Sequence, residues 1–260
     1  MMKAIGAPNS GPQVSFMGEA SWSLSPSMQR KLQDQLRTLS DPSTAVFLQR
    51  FFKTGPGEYA DGDLFRGIRV PVLRKLARQY DSLTLAETKT LLQSIYHEDR
   101  LLALLILIRT YARGDDIVQA RVFDLYLKNT RFINNWDLVD ASAGQIVGAF
   151  LWDKDREVLY RLAKSRNLWE RRIAIMATFD FIKHGEFAET LSIAKLLVSD
   201  NEDLIHKAVG WMLREVGKRN PRAEEEFLLA NYRQMPRVML RYAIEKFPER
   251  KRQRFLKGNA

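Results

Sequence analysis

From Met28 onward apolar residues recur at intervals of three and four, as in "AVFLQRFF", "VLRKLARQY", "TKTLLQSIY" and "ARVFDLYLKN". That spacing puts apolar side chains on one face of a helix. No alternating strand pattern of useful length interrupts it. Helix stops are written in "HG" at His184–Gly185, "RNP" at Arg219–Pro221 and "MP" at Met235–Pro236. The expected fold class is all-α. Residues 1–27, rich in Gly, Pro and Ser without sustained periodicity, are expected to form a flexible N-terminal tail, with Trp22 as the candidate to pin it to the body, and residues 28–260 a single domain.

Within that domain the pattern repeats. "HEDRLLALLILIRTYARG", "NLWERRIAIMATFDFIKHG" and "NEDLIHKAVGWMLREVGKRN" each begin with acidic or capping residues and end on basic residues before a break. "NNWDLVDASAGQIVGAFL" aligns as a fourth. Equating Ala103, Ala141, Ala174 and Ala208 gives steps of 38, 33 and 34 residues. Shorter amphipathic helices lie between them. Two helices per repeat of this length predict an α-solenoid of HEAT-like repeats, with one helix of each pair on a concave surface.

The third segment breaks its own pattern. Leu204, Ile205, Ala208, Val209, Met212, Leu213 and Val216 share one face; the opposite face carries Asp203, Lys207, Gly210, Arg214 and Trp211. An indole on a polar face asks for a reason. In the aligned register Trp136, Asp140, Trp169 and Arg172 point the same way as Trp211 and Lys207. Aromatic rings among cations on one face suit nucleic acid. Asn135 is a plausible N-cap, which makes Asp137 a first-turn acid explained by the helix dipole. Asp140 lies beyond that turn; on periodicity alone, an ion pair with Arg172 and a functional role stay equally open.

Charge adds direction. Forty-one Lys and Arg against 31 Asp and Glu give a formal charge of +10, which favours a polyanionic partner without proving one. The absence of cysteine excludes a disulfide framework and a thiol nucleophile, and fits a reducing compartment. The three histidines, His97, His184 and His206, form no metal-ligand spacing, so neither a metal nor another cofactor is expected. "LLALLILI" at Leu101–Ile108 is bounded by Arg100 and Arg109 and reads as a core helix rather than a membrane span.

From about Phe47 to about Tyr242 the chain resembles the AlkD-type DNA alkylation-repair glycosylases, built from HEAT-like repeats. "FRGIRVPVLRKL" resembles the family's Gly-Ile-x-x-Pro entry into an early helix, with Arg69 inside it. "WDLVD" matches the segment that carries an active-site tryptophan, here Trp136, and the catalytic carboxylate, here Asp140. "NLWERRIAI" places the family's phosphate-binding arginine at Arg172, beside Arg171 and Trp169. "KAVGWMLREVGKRNP" supplies a second active-site tryptophan, Trp211, with Lys207 and Arg214 flanking it. The resemblance implies a glycosylase that excises purines alkylated at N3 or N7, such as 3-methyladenine and 7-methylguanine. The lesion would stay in the duplex instead of entering a base-flipping pocket. Double-stranded DNA is the implied partner, with Arg69, Trp169, Arg171, Arg172, Lys207 and Arg214 as DNA-binding residues on a concave basic surface. The expected state is a cytoplasmic monomer, nucleoid-associated if bacterial. The alternative is a non-catalytic HEAT-repeat protein that binds damaged or branched DNA.

Overall fold

The computed structural model describes residues 25–260, so the tail before Ser25, including Trp22, lies outside the described residues. Helices follow in chain order: α1 (Ser25–Leu39), α2 (Pro42–Gln49), α3 (Val70–Gln79), α4 (Leu85–Leu92), α5 (His97–Arg113), α6 (Asp116–Lys128) and α7 (Trp136–Ala143). They continue with α8 (Glu157–Ala163), α9 (Leu168–Ala177), α10 (Phe179–Lys183), α11 (Ala188–Leu196) and α12 (Asp203–Gly217). The chain closes with α13 (Pro221–Asn231), α14 (Arg237–Ala243) and α15 (Glu249–Lys257). The fold is all-α, and among the described residues the extended pairing is a single bridge between Leu64 and Tyr96. Helix begins three residues earlier than the composition of the tail suggests.

Local chemistry explains the boundaries. Asn135 caps α7 by accepting the Trp136 N–H at 2.9 Å, and Asn167 caps α9 by accepting that of Trp169. Thr84 and Glu87 form a reciprocal capping box on α4. Pro221 occupies the first turn of α13 behind the Asn220 cap, where a missing N–H costs nothing.

The helices α3, α5, α7, α9, α12 and α14 pack one on the next in that order, forming a continuous row. On it, α4, α6, α8, α11 and α13 pack as a second row. The all-apolar run of α5 is the centre of the core: Leu101, Leu102, Ala103, Leu104, Ile106 and Leu107 are all buried. Small residues set the spacing along the first row. A Cβ on Gly148 would stand 2.2 Å from the Ala177 carbonyl oxygen, and one on Gly210 would meet Met239 O and Tyr242 Cβ at 2.5 Å. Gly210, read from the wheel as a polar-face residue, is therefore buried under α14. Beyond Ala143 the last turns of α7 widen into a π-helix over Gly144–Gly148.

One stretch departs from near-continuous helix. Residues 50–69 form a loop between α2 and α3, and it is strongly anchored. Glu98 at the start of α5 accepts the backbone N–H groups of Arg66, Gly67 and Ile68 at 2.8, 2.7 and 3.2 Å. Gly67 has φ +80°, and a Cβ there would lie 2.1 Å from the Asp41 carbonyl oxygen, so only glycine fits. The Gly-Ile-x-x-Pro signature thus has a mechanical meaning: a close approach at Gly67, a core anchor at Ile68 and a helix start at Pro71.

Candidate nucleic-acid interface and active site

Trp136 opens α7 and Trp211 lies midway along α12; both are half-buried and line one cleft of about 500 Å³. Arg172, Lys207 and Tyr242 line it from α9, α12 and α14. Arg50, Phe51, Phe52, Lys53 and Tyr59 come from the α2–α3 loop and its approach. Trp136 is held by a stack on Phe52, ring centres 5.5 Å apart and 20° from parallel. The Trp211 indole N–H donates to Glu215 at 3.2 Å. Both rings are thereby fixed in orientation with one edge left open.

Asp140, one turn along α7 from Trp136, is locked to Arg172. The guanidinium donates from Nε to Oδ1 at 2.8 Å and from Nη2 to Oδ2 at 2.7 Å. Its Nη1 donates to the Leu204 carbonyl. Burial raises the Asp140 carboxyl above its ordinary value, against the pull of the Arg172 charge. Asp140 keeps 16% of its side chain exposed against 5% for Arg172, and that open edge faces a second groove of about 440 Å³. Arg74, Arg78, Arg109 and Gln145 line this groove. Arg109 is paired with Asp81, whereas Arg74 and Arg78 are exposed and make no ion pair among the described residues. The Asp140–Arg172 pair is the border between the two grooves.

The remaining expectations are corrected in part. Arg172 was expected to hold a phosphate, but its side chain is 5% exposed and three of its five N–H groups are engaged by Asp140 and Leu204. Trp169 is not on an open face: it is 6% exposed and packs edge-on against Tyr59 at 5.5 Å. Arg171 turns to Asp200, donating at 2.7 and 3.3 Å, and to the Ser165 and Arg166 carbonyls. Arg214 pairs with Glu245. In each case the helix register sets the face of the side chain but not the neighbour waiting on it. Arg69 is exposed, and Lys207 lines the cleft while paired with Asp203 at 2.7 Å. His206, bound to the Asp200 carbonyl, does not line the cleft. The cations Arg50, Lys53, Arg74 and Arg78 escaped the sequence reading; a lysine or arginine on a short helix or loop carries no periodic signal.

Behind the cleft lies a buried polar cluster. His97 Nε2 is 2.8 Å from Asp137 Oδ2, its Nδ1 is 3.8 Å from Asp63, and Arg100 donates to Asp63 at 2.6 Å. Phe52 and Phe65 pack on its ring. Burial alone would lower the His97 pKa, but the Asp137 carboxylate overrides it and pushes it up to about 9. Asp137, expected as a dipole-favoured first-turn acid, also ties α7 to α5.

A family model described as DNA alkylation repair enzyme matches residues 32–247. The chain belongs to the DNA alkylation repair enzyme family. A solved structure of a predicted DNA alkylation repair enzyme from Enterococcus faecalis is similar, with a TM-score of 0.62 at 17% identity over 81% of this chain and 97% of that one. At that identity the likeness speaks to the shared all-α fold. Among curated proteins none matches the chain. Family membership supports a role in alkylation repair and DNA as the partner. No helix among the described residues is long and apolar enough to cross a membrane.

Proposed function

We propose that this chain is a DNA glycosylase that removes cationic N3- or N7-alkylated purines from duplex DNA, with Asp140 as the catalytic carboxylate. The observation that carries the reading is the junction at Arg172: it lines the cleft holding Trp136 and Trp211, and it holds the carboxylate that, among the described residues, opens onto the neighbouring cationic groove. An alkylated purine cation departs as a neutral base, so its leaving group needs no proton. What develops is positive charge on the sugar. A fixed anion beside that sugar stabilises it and orients the attacking water. Trp136 and Trp211, on the cleft side of Arg172, offer electron-rich faces to positive charge on a sugar held at the border of the two grooves.

Arg172 takes a different part from the phosphate ligand expected from sequence. A carboxylate has about four lone-pair sites and the fork of Arg172 occupies two, leaving the outer ones for the reaction. Arg172 keeps Asp140 ionised and aimed despite its burial. Phosphates then fall to Arg74, Arg78, Arg50, Lys53 and Lys207 around the grooves.

The test is release of free base from duplexes containing 7-methylguanine, 3-methyladenine, uracil or hypoxanthine under identical conditions. Only the cationic alkylpurines should be released, because a neutral base would have to leave as an anion without an acid to protonate it. Comparable release of all four would overturn the single-carboxylate mechanism. One observation favours a second reading, a non-catalytic protein that binds damaged DNA: both oxygens of Asp140 are engaged by Arg172. That reading predicts duplex binding with no base released.

A further inference from the structure

Apolar side chains at the edge of the cleft are exposed in a way the fold does not require. Phe47 and Phe51, one turn apart where α2 runs into its loop, are 51% and 60% exposed and meet edge to face with centroids 5.6 Å apart. Phe51 lines the cleft, and its chain neighbour Phe52 is the ring stacked on Trp136. Leaving about half of two large aromatic rings in water forgoes part of the stabilisation their burial would bring. Leu48 and Phe52 on the same segment turn the other way, into a pocket they share with Phe65, Leu73 and His97.

We propose that Phe51, braced by Phe47, is a wedge that enters the base stack of duplex DNA lying in the cleft. Three observations choose this occupant over a protein or a lipid surface. The pair is continuous with the cleft through Phe51 and Phe52. It is flanked by Arg50 and Lys53, exposed cations without an acid partner among the described residues, so the patch offers phosphate ligands around an aromatic centre. Finally, the segment is not loosely hung. The Phe51 and Phe52 N–H groups donate to the Leu48 and Gln49 carbonyls at 3.0 Å, and Phe52 packs on Phe65, His97 and Trp136, so the ring has a rigid base against which to push. Apolar wedges work in this way: they part a base step, and the unstacking they cost is offset by backbone contacts around the kink. Aromatic stacking on an exposed base face adds to the binding whatever the base sequence. The wedge also supplies what a site without a base pocket lacks, a means of loosening the lesion from its neighbours while it stays over the cleft.

The inference rests on the reading that the cleft takes duplex DNA, and the experiment separates the two. Full-length protein is titrated with an undamaged duplex carrying one 2-aminopurine, whose fluorescence rises when it is unstacked. Wild type should bind and raise the signal. Phe51→Ala, an exposed truncation, should bind on the order of 10-fold more weakly and lose the rise; Phe51→Trp should keep both. Base release by wild type from 7-methylguanine duplex is measured alongside. If wild type binds and releases base but Phe51→Ala leaves affinity and fluorescence unchanged, the wedge is wrong and the glycosylase reading stands. Duplex binding by wild type without any fluorescence rise also overturns the wedge. If Phe47→Ala and Phe51→Ala change the sedimentation of the free protein while DNA binding stays put, the patch is a self-contact, and the proposal falls.

Discussion

Two arginine–carboxylate pairs, built with the same bidentate geometry, sit at opposite ends of the α5–α7–α9 stretch and do different things. Arg66 donates twice to Asp99, whose Oδ2 also accepts from Ser94, and the Arg66 guanidinium lies 3.8 Å over the Tyr96 ring. The two side chains are 8% and 1% exposed. This pair is sealed, and around it Glu98, His97 and Arg100 tie the α2–α3 loop to α5 and α7. Arg172 donates twice to Asp140 in the same manner, yet the carboxylate keeps an open edge on the cationic groove. The hydrogen-bond geometry is shared; access to solvent divides an anchor from a chemical group. A sealed pair has its charge wholly absorbed by its partner, while a half-open one retains field on the side where a substrate arrives.

The largest effect should come from breaking the sealed pair. Arg66→Ala leaves Asp99 buried without its cation and should cost about 3–5 kcal/mol of stability, measured by denaturant unfolding. Any base release lost should be recovered in proportion to the folded fraction. A variant that keeps wild-type stability would mean the anchor is no anchor.

Next in size is the titration of His97, which joins the two regions. Its pKa is raised from 6.5 to about 9 by Asp137 and Asp63, against Arg100. A group raised on folding contributes its full stability below its unfolded value of 6.5 and loses it as pH rises through about 9. About 3 kcal/mol should therefore fade on that alkaline limb, read from thermal melts. His97→Gln should start from lower stability and melt with a flatter profile across the same window; an unchanged profile removes His97 from this role.

At the half-open pair the effect should appear in rate before stability. Asp140→Asn keeps the shape and one acceptor but not the charge, so base release from 7-methylguanine duplex should fall on the order of 10²-fold. Arg172 then faces a neutral partner, which should cost about 1–3 kcal/mol without unfolding the protein. Wild-type release by a purified, folded Asp140→Asn protein would take the catalytic role from this residue. The acid limb of wild-type release should also lie above that of an ordinary carboxylate, because burial raises the Asp140 pKa.

The smallest effect belongs to the groove beside Asp140. Arg74→Ala should weaken duplex binding by a similar factor for damaged and undamaged DNA, and reduce the salt slope by about one unit. A slope equal to wild type would place the phosphate elsewhere.

The all-α class, the helix stops and the Asn135 cap were legible in the sequence because each depends on residues within one or two turns of each other. Trp136 and Trp211 were legible too, being large apolar groups where the wheel required polar ones. Trp169 obeyed the same rule and was misplaced on an open face, because Tyr59, more than a hundred residues earlier, covers its ring. The loop at residues 50–69 was misread at its start, where "AVFLQRFF" continues the helical spacing past the end of α2 at Gln49, and Phe52 under Trp136 was not foreseen.

What the sequence by itself determined is the inventory: which segments are helices, which face of each is apolar, and that an acid stands one turn from a tryptophan in a basic chain. Local hydrogen bonding and burial of one face are short-range effects, and they write themselves into spacing. Only the tertiary structure decided that Arg172 holds Asp140, that Arg171 and Arg214 are turned to other acids, and that Arg74 and Arg78 line the groove beside the carboxylate with no ion pair among the described residues. A charge acts through its nearest neighbours in space, and for a side chain on one helix those neighbours belong to helices some thirty residues or more away.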